Sequence, residues 1–237
     1  MSTSAPKQNE LTLGFSPWGT GTSECDPFDD IFTYTKDCKK DGFDGIDAFI
    51  LWGGTDIHPS FYRAQPHRMN GAPIFPSERD LWEWKAMQYC KAHGIPIIGI
   101  CRGAQFLCAF AGGQLIQHVS GHGGPHHEVV TNDGEVFLTN SYHHQMLDVW
   151  GTNHKLIAWS KKAQSNEYYG ERSETPDHIK EQIAKGTWKE PEIVFFPEVK
   201  GLAIQGHPEW AGPELKEFRD ISVKLVLDYL LVRKVFK

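Results

Sequence analysis

The feature that most constrains the fold of this chain is a cysteine at a sharp corner of the backbone. Residues 95–100, IPIIGI, form a continuous apolar run, which is typical of a strand covered on both faces. Residues 102–113, RGAQFLCAFAGG, follow directly and predict a helix that ends on two glycines. Cys101 stands between them, with Gly99 and Gly103 on either side. The sequence therefore predicts a strand, a tight turn and a helix, with a thiol on the turn.

Apolar runs and helix signals alternate on the amino-terminal side of this corner. Residues 11–16 (LTLGFS) and 46–52 (IDAFILW) predict strands. The acidic, aromatic segment 26–40 predicts a helix that ends at Gly42, and residues 77–93 predict a longer one with a Ser-x-x-Asp start signal. Buried strands that alternate with helices imply right-handed crossovers and a parallel sheet. The predicted fold class is α/β, a three-layer sandwich around a mostly parallel sheet.

The carboxyl-terminal half has a different pattern. Residues 114–170 are rich in histidine and glycine and carry short alternating segments, which predict a small region of antiparallel edge strands and loops. Residues 170–191 are polar, include a short helix that starts near Pro176, and are interpreted as a surface insertion. Two strands, EIVFF and GLAIQ, and an amphipathic helix over 213–235 complete the prediction. We expect one domain over residues 1–237.

Composition argues against several classes of protein. The net charge of −6, with no basic stripe, argues against nucleic-acid binding. No run approaches the ~18 apolar residues of a membrane span and the first residues do not resemble a secretory signal, so we expect a soluble, cytoplasmic protein. The five cysteines contain no Cys-x-x-Cys pair, which argues against a disulfide framework. We expect most of them to be free thiols: positions 25, 38, 90, 101 and 108.

Cys101 has the setting of a nucleophile elbow in which sulfur replaces the serine oxygen. Flanking glycines let neighbouring backbone pack against a turn that holds its central residue in a strained conformation. The side chain then emerges at the carboxyl end of the sheet, where open α/β folds bind ligands. The helix that begins at Arg102 directs N–H groups at the sulfur and favours the thiolate. The alternative is a small buried cysteine, which we expect at the other four positions.

A cysteine nucleophile needs a base and a group that orients the base. His207 directly follows the apolar strand GLAIQ, so it is predicted to lie at the same edge of the sheet as the elbow. Glu209 can fall on the same side two residues later, and Pro208 stiffens the step between them. Cys101, His207 and Glu209 are therefore predicted to form a Cys-His-carboxylate triad. Taken alone, His-Pro-Glu is also typical of a turn with a solvated acid.

Several further motifs follow one another along the chain: LWGGTDIHPSFY, SERDLWEWKAMQYCKAHGIPIIGICRG, TNSYHHQMLD and IQGHPEW. Together with GICRGAQ they resemble the class I glutamine amidotransferase fold, in particular its gamma-glutamyl-gamma-aminobutyrate hydrolase-like branch. The similarity extends from residue 11 to about 210, in the family's order. Ordered agreement of this kind is more specific than any single motif.

The resemblance implies an enzyme that hydrolyses gamma-glutamyl amides without a metal or a cofactor. It assigns Cys101 as the nucleophile, His207 as the general base and acid, and Glu209 as the carboxylate that orients the histidine. The thiolate attacks the side-chain amide of a gamma-glutamyl group, His207 protonates the leaving amine, and water hydrolyses the resulting thioester.

The resemblance also implies which residues surround the substrate. Backbone N–H groups of the Gly53–Gly54 turn and of Arg102 form the oxyanion hole. Gln105, on the elbow helix, contacts the substrate. Four residues of one loop line the glutamyl pocket: Ser141, Tyr142, His143 and His144. The adjacent histidines of this loop point in opposite directions in extended backbone, so one of them can face the pocket and the other solvent.

Two features of the sequence depart from the family's pattern. Gln205-Gly206 stands where an aromatic residue is expected before His-Pro-Glu, which changes the pocket wall. The 170–191 insertion could form a lid or a partner surface.

In HVSGHGGPHHE, His122, His126 and Glu128 have a spacing compatible with metal binding, but the glycines and the proline prevent the helix that would bring them together. We expect no metal there.

Three functions stay open at this point. The first is a free-standing hydrolase of gamma-glutamyl amides. The second is the glutaminase subunit of a two-chain amidotransferase, which releases ammonia to a synthetase partner and shares every catalytic residue with the first. The third is a catalytically silent binding module on the same fold. A homodimer is compatible with the fold, although no stretch of the sequence argues for one.

Overall fold

The computed structural model describes residues 10–19, 26–124 and 126–231. Its strands, in chain order, are β1 Leu11–Phe15, β2 Phe32–Asp37, β3 Ala48–Leu51, β4 Ile97–Ile100, β5 Gln114–Ile116, β6 His118–Val119, β7 His127–Thr131, β8 Val136–Thr139, β9 Met146–Asp148, β10 Lys155–Ser160, β11 Tyr168–Tyr169, β12 Pro191–Phe196 and β13 Gly201–Ile204. Its α-helices are α1 Cys38–Asp41, α2 Glu78–His93, α3 Arg102–Phe110, α4 Asp177–Ala184 and α5 Lys216–Val226. Short 3₁₀ turns cover Pro59–Tyr62, Pro197–Val199, Pro208–Trp210 and Pro213–Leu215, and a π-helical segment, Leu227–Leu231, extends α5.

Nine of the described strands form one mixed sheet in the order β2-β1-β3-β4-β13-β12-β10-β7-β8. From β2 to β13 all neighbours are parallel, whereas from β13 to β8 all are antiparallel. The antiparallel strands thus continue the same sheet, and two small antiparallel pairs, β5 with β9 and β6 with β11, lie outside it.

Helices cover both faces of the sheet. On β3, Phe49 belongs to the apolar cluster that contains Met87 of α2 and Phe106 of α3, whereas Ile50 belongs to the opposite cluster, with Phe218 of α5. Successive residues of a strand point to opposite faces, so a strand buried on both faces must be apolar throughout. The predicted α/β class with three layers is confirmed.

The strand order brings the candidate catalytic residues together. β4 pairs in parallel with β13, with Ile100 opposite Ile204, and the N–H of Cys101 donates to the carbonyl of Ile204 at 2.8 Å. The residues that follow these two strands therefore leave the sheet side by side, at its carboxyl edge. His207, which follows β13, is one of them.

Helix α2 has the predicted ends. The Ser77 hydroxyl accepts a hydrogen bond from the N–H of Asp80, and the Asp80 carboxylate accepts one from the N–H of Ser77, so the capping box is complete. Gly94 ends the helix in the left-handed conformation, with φ of 66°. Because both end signals are local, the sequence is sufficient to place this helix.

The prediction of a helix over 26–40 is wrong for most of that segment. Phe32–Asp37 is an edge strand, β2, which pairs in parallel with β1. Its sequence, FTYTKD, is rich in aromatic and β-branched residues, which favour strands, and pairing with β1 supplies its hydrogen bonds. Only Cys38–Asp41 is helical, and it ends at Gly42 as expected.

The remaining elements follow the expected outline. Helix α4 begins directly after Pro176 and buries Ile179, while most of segment 170–191 is exposed. The last helix starts near Pro213, although residues 232–235 of the prediction lie outside the described residues.

Cys25 also lies outside the described residues, and the four described cysteines are free and buried. Within the described ranges, no helix has the length and apolarity needed to cross a membrane.

Candidate active site

The backbone at Cys101 has the strained conformation expected of an elbow. Its φ is 50° and its ψ is −107°, a region that residues with a side chain rarely adopt. Both flanking glycines are required by close packing. A Cβ on Gly103 would lie 2.1 Å from the carbonyl oxygen of Leu51. A Cβ on Gly99 would lie 2.5 Å from the carbonyl oxygen of Gly103. The turn can therefore form only because neighbouring backbone approaches it without side chains in between.

Cys101 and His207 meet at this corner. Both side chains are buried, and the thiol lies near enough to the imidazole to influence its ionisation. Burial alone would lower the pKa of His207, but the hydrogen bonds to Cys101 and Glu209, with their charges, raise it to about 9. With a pKa of about 9 the ring holds its proton at neutral pH, as a general acid must.

Three neighbours fix the orientation of His207. Its Nδ1 lies 2.7 Å from Oε1 of Glu209, so the structure brings these two predicted site residues together. Asn140 clamps its backbone with two hydrogen bonds of 2.7 Å, one donated to the carbonyl of His207 and one accepted from its N–H. The indole of Trp210 stacks on the imidazole at 3.8 Å between centroids, with the rings 6° from parallel. Sequence reasoning identified Glu209 but missed the roles of Asn140 and Trp210.

The glycine-rich turn after β3 is held by Arg79, a contact that the sequence did not indicate. Arg79 donates to the carbonyl of Gly53 at 3.0 Å and to that of Trp52 at 2.8 Å. Gly54 has φ of 148°, and a Cβ there would lie 2.5 Å from the Arg79 guanidinium. Because two carbonyls of the turn face Arg79, the clamp fixes the peptide planes on which the predicted oxyanion donors lie.

Arg102 contributes to the site in two ways. Its N–H is the first of α3, so it has no partner within the helix and faces the elbow. Its side chain is 1% exposed and forms ion pairs with Asp80 and Glu83 of α2, the latter at 2.5 Å. Glu83 also accepts from Arg79 at 2.9 Å, so one buried network joins the elbow helix to the glycine-rich turn.

The residues predicted to line the pocket divide into two groups. Tyr142 is 51% exposed and lies edge-on to His207, and His144 is partly exposed and paired with Asp56. Ser141 and His143 are buried instead and point away from solvent. The adjacent histidines do point in different directions, as expected.

Gln105 lies beneath this loop. It is buried, and its amide donates to the carbonyl of Gln145 at 3.1 Å, so it ties α3 to the loop that follows β8. A contact of Gln105 with substrate stays a prediction.

Gly206 explains why an aromatic residue does not precede His-Pro-Glu in this chain. A Cβ on Gly206 would lie 2.5 Å from Oγ1 of Thr139 and 2.9 Å from the ring of Phe218. That volume is filled from α5, so a large side chain at position 206 would require the helix to move. Glycine in place of an aromatic residue at position 206 therefore affects the packing behind the site as well as the wall of the pocket.

A second group of buried polar side chains adjoins the site. We call it the histidine–glutamate cluster: His122, His127, His143, Glu190 and Glu192. Burial would raise the pKa of Glu190, but hydrogen bonds from His122, Gln164 and Tyr168 hold it at about 2. Burial lowers the pKa of His143 well below its usual value.

The three residues weighed for a metal site from their spacing do not come together in the structure. His126 is exposed, and Glu128 forms a surface pair with Lys161 at 3.1 Å. Only His122 of that set enters the histidine–glutamate cluster. Its partners, Glu190 and Glu192, are more than sixty residues further along the chain, at the start of β12.

The fold and the elbow together define a class I glutamine amidotransferase-like protein. The crystal structure of a glutamine amidotransferase from Thermotoga maritima matches with a TM-score of 0.54 and 14% identity, covering 95% of this chain and 88% of that one. This similarity shows the fold. The chain belongs to the Peptidase C26 family, because the model of that family matches residues 32–174.

Curated relatives agree with this assignment. Protein NtpR of Enterococcus hirae is 31% identical over 70% of this chain and 68% of its own length. Gamma-glutamyl-CDP-amidate hydrolase of Campylobacter jejuni is 32% identical over 45% of this chain and 46% of its own length. Four further relatives are matched over 30% to 64% of their lengths. The matched segment thus spans less than two thirds of each of those four.

Proposed function

We propose that this protein is a cysteine-dependent hydrolase of gamma-glutamyl amide bonds that works through a thioester. The observation that carries the proposal is the position of Cys101, at a strained elbow, near a His207 that is oriented by Glu209 and has a raised pKa. Membership of the Peptidase C26 family supports hydrolysis. The named activity of the Campylobacter jejuni relative supports the gamma-glutamyl class of substrate.

In the first half-reaction the Cys101 thiolate attacks the γ-carbonyl carbon and a C–S bond forms. The carbonyl oxygen becomes an oxyanion, for which the N–H groups of Arg102 and of the Gly53–Gly54 turn are the proposed donors. The imidazolium of His207 then gives its proton to the amide nitrogen, the C–N bond breaks and the amine leaves. The product of this step is a thioester, with His207 neutral.

In the second half-reaction water attacks the thioester. Neutral His207 takes a proton from that water, so a C–O bond forms as the C–S bond breaks. Free glutamate or a gamma-carboxylate product leaves, and the thiolate–imidazolium pair is restored. Glu209 accepts the Nδ1 proton of His207 in a hydrogen bond at both stages, so that Nε2 is the atom that moves protons.

The test is a panel of gamma-glutamyl compounds, including glutamine, assayed by amine release. We expect wild-type turnover of at least one compound, and a loss of about 10⁴-fold or more in Cys101→Ala. Cys90→Ala is the matched control, because Cys90 is a buried cysteine on α2 outside the site. Turnover that survives in Cys101→Ala would refute the proposal.

The glutaminase-subunit function is the second candidate. It is favoured by an exposed apolar pair in the loop between β3 and α2, in which Ile74 is 88% and Phe75 is 78% exposed. A subunit of this kind would turn over glutamine slowly alone and faster with its synthetase partner. Glutamine turnover by the purified chain, with and without cell extract, distinguishes the two candidates.

Labelling with a glutamine-like diazo-ketone tests both candidates against a silent binding module. Modification of Cys101 is expected if the elbow thiol is reactive, whereas an unmodified Cys101 would contradict both enzyme functions.

The same labelled protein can be sized by ultracentrifugation, which tests the homodimer that the fold allows.

A further inference from the structure

The geometry of the histidine–glutamate cluster points to a metal site. We propose that His122, His143 and Glu192 bind one divalent first-row transition-metal ion of the zinc type. One nitrogen of each histidine and one carboxylate oxygen of Glu192 lie within 4.8 Å of one another, and all three residues are buried. Imidazole and carboxylate are ligands that zinc accepts in proteins. The proposal does not depend on the proposed hydrolase function.

The ligand atoms of the cluster lie somewhat further apart than those around a bound tetrahedral ion. Bonds of 2.0–2.1 Å in a tetrahedron place ligand atoms about 3.3–3.4 Å apart. Nδ1 of His122 lies 3.8 Å from Oε1 of Glu192. The Ser141 hydroxyl donates to the carbonyl of His122 at 2.9 Å, and its oxygen lies 3.0 Å from the same Nδ1 and 3.3 Å from Nε2 of His143. The three ligand atoms lie within 4.8 Å of one another, so metal binding would draw some pairs together by as much as about 1.4 Å.

Both histidines have the outer hydrogen bonds that metal ligands usually have. Nε2 of His122 lies 3.2 Å from the Glu190 carboxylate, which leaves Nδ1 to face the site. Nδ1 of His143 lies 2.9 Å from the carbonyl of Gln145, which leaves Nε2 to face it. Glu190 is itself fixed by the N–H groups of Gln164 and Ser165. The lone pairs needed for coordination are thus directed inward.

Unpaired buried polar atoms give an independent reason to expect an ion. Oε2 of Glu192, which is 3% exposed, has no hydrogen-bond partner among the described residues. Neither amide atom of Gln205, which is fully buried, has one either. Gln205 lies opposite Glu192, since its N–H donates to that carbonyl at 2.8 Å, and opposite residues of an antiparallel pair share a face. Buried polar groups without partners are costly, so an occupant that satisfies them is stabilising.

The site would join three segments that are distant in sequence. His122 precedes β7, His143 follows β8 and Glu192 lies on β12. Asn140, which clamps the backbone of His207, belongs to the same loop as His143. A bound ion would therefore hold the loop that orients the histidine of the candidate active site, in the manner of a closed structural site.

The test uses the full chain carrying Cys101→Ser, so that the elbow thiol cannot bind the probe. The protein is stripped with a chelator and titrated with Zn²⁺ against a competing dye, and Co²⁺ is titrated separately. We expect one equivalent of Zn²⁺, and intense tetrahedral Co²⁺ bands without sulfur charge transfer. Binding should be lost in His143→Ala and weakened about 10–100-fold in Glu190→Gln.

His93→Ala is the matched control, because His93 is an exposed histidine at the end of α2, and it should retain the full equivalent. Glu192→Gln keeps the shape of the side chain and covers the case in which His143→Ala does not fold. The alternative occupant is a proton on His122, paired with Glu190. A stripped protein that takes up no Zn²⁺, or takes it up equally well in Glu192→Gln and His143→Ala, would overturn the proposal.

Discussion

The two halves of the main sheet bury different kinds of side chain. In the parallel half, β3 and β4 are apolar and fully buried, and they fix a backbone position, the elbow at Cys101. In the antiparallel half, polar groups such as His127 and Glu192 are buried along with apolar ones. That half also holds His207, because Asn140 makes two hydrogen bonds to its backbone. The comparison indicates that apolar packing sets the position of Cys101, whereas buried hydrogen bonds hold His207.

The largest effect is expected from a substitution of Glu209, the carboxylate that is hydrogen-bonded to His207. Glu209→Gln should lower kcat/KM by about 10³–10⁴-fold, because the orientation of His207 and the stabilisation of its imidazolium are lost. The alkaline limb of the pH–rate profile should move to lower pH, since Glu209 helps to raise the pKa of His207. Glu198→Gln, an exposed glutamate, is the control. An unmoved limb would mean that Glu209 has no orienting role.

The same pair predicts a pH dependence of stability. The pKa of His207 in the folded protein, about 9, lies above its ordinary value of 6.5. Its contribution to the free energy of unfolding is therefore fully present below pH 6.5 and is lost as the pH rises through 9. Chemical denaturation between these pH values should show this loss in the wild type and a smaller one in Glu209→Gln. A wild-type stability that does not fall over this range would contradict the raised pKa, and equal slopes in the two proteins would contradict the contribution of Glu209 to it.

Arg102→Met tests the polar network within the apolar half. Removal of the guanidinium leaves Asp80 and Glu83 as buried carboxylates with less compensation, so a loss of about 3–5 kcal/mol in unfolding free energy is expected. Urea denaturation measures it. A loss below about 1 kcal/mol would show that the network contributes little and that apolar packing alone holds the elbow helix.

Asn140→Ala tests the link between the halves. Two backbone groups of His207 lose their partner, which should cost about 1–3 kcal/mol in stability. If the clamp positions His207, kcat should fall while KM changes little. Asn132→Ala, at an exposed asparagine between β7 and β8, is the matched control. A fall in stability without a fall in kcat would limit Asn140 to a structural role.

The smallest effect is expected on the surface of the antiparallel half. Lys161→Met removes the exposed pair with Glu128 and should change stability by no more than about 1 kcal/mol. Thermal denaturation provides the measurement. A larger loss would show that polar contacts of this half matter even where water competes for them.

The elements that could be predicted from the sequence are those fixed by local signals. The elbow, β4 and α2 depend on neighbouring residues, namely a buried apolar run, two glycines and a capping box. The edge strand Phe32–Asp37 was not predicted, because its hydrogen bonds come from β1 rather than from its own residues. A pattern of acidic and aromatic side chains could not reveal that pairing.

The candidate site divides in the same way. Cys101, His207 and Glu209 each stand in a short motif, so the sequence predicts them. Arg79 and Asn140 act on backbone atoms of residues 26 and 67 positions away, and nothing in their own surroundings indicates those partners. The histidine–glutamate cluster likewise assembles only when β12 lies against the loops around β7, which spacing along the chain cannot show.

The indole stacked on His207 gives the site an optical reporter. Trp210 is 41% exposed and nearly parallel to the imidazole, and a protonated imidazole in such contact quenches indole emission by accepting an electron from the excited state. The fluorescence of this one tryptophan should therefore brighten when the ring gives up its proton. Because the chain has eight tryptophans, this change is measured as the difference in emission between the wild type and Trp210→Phe.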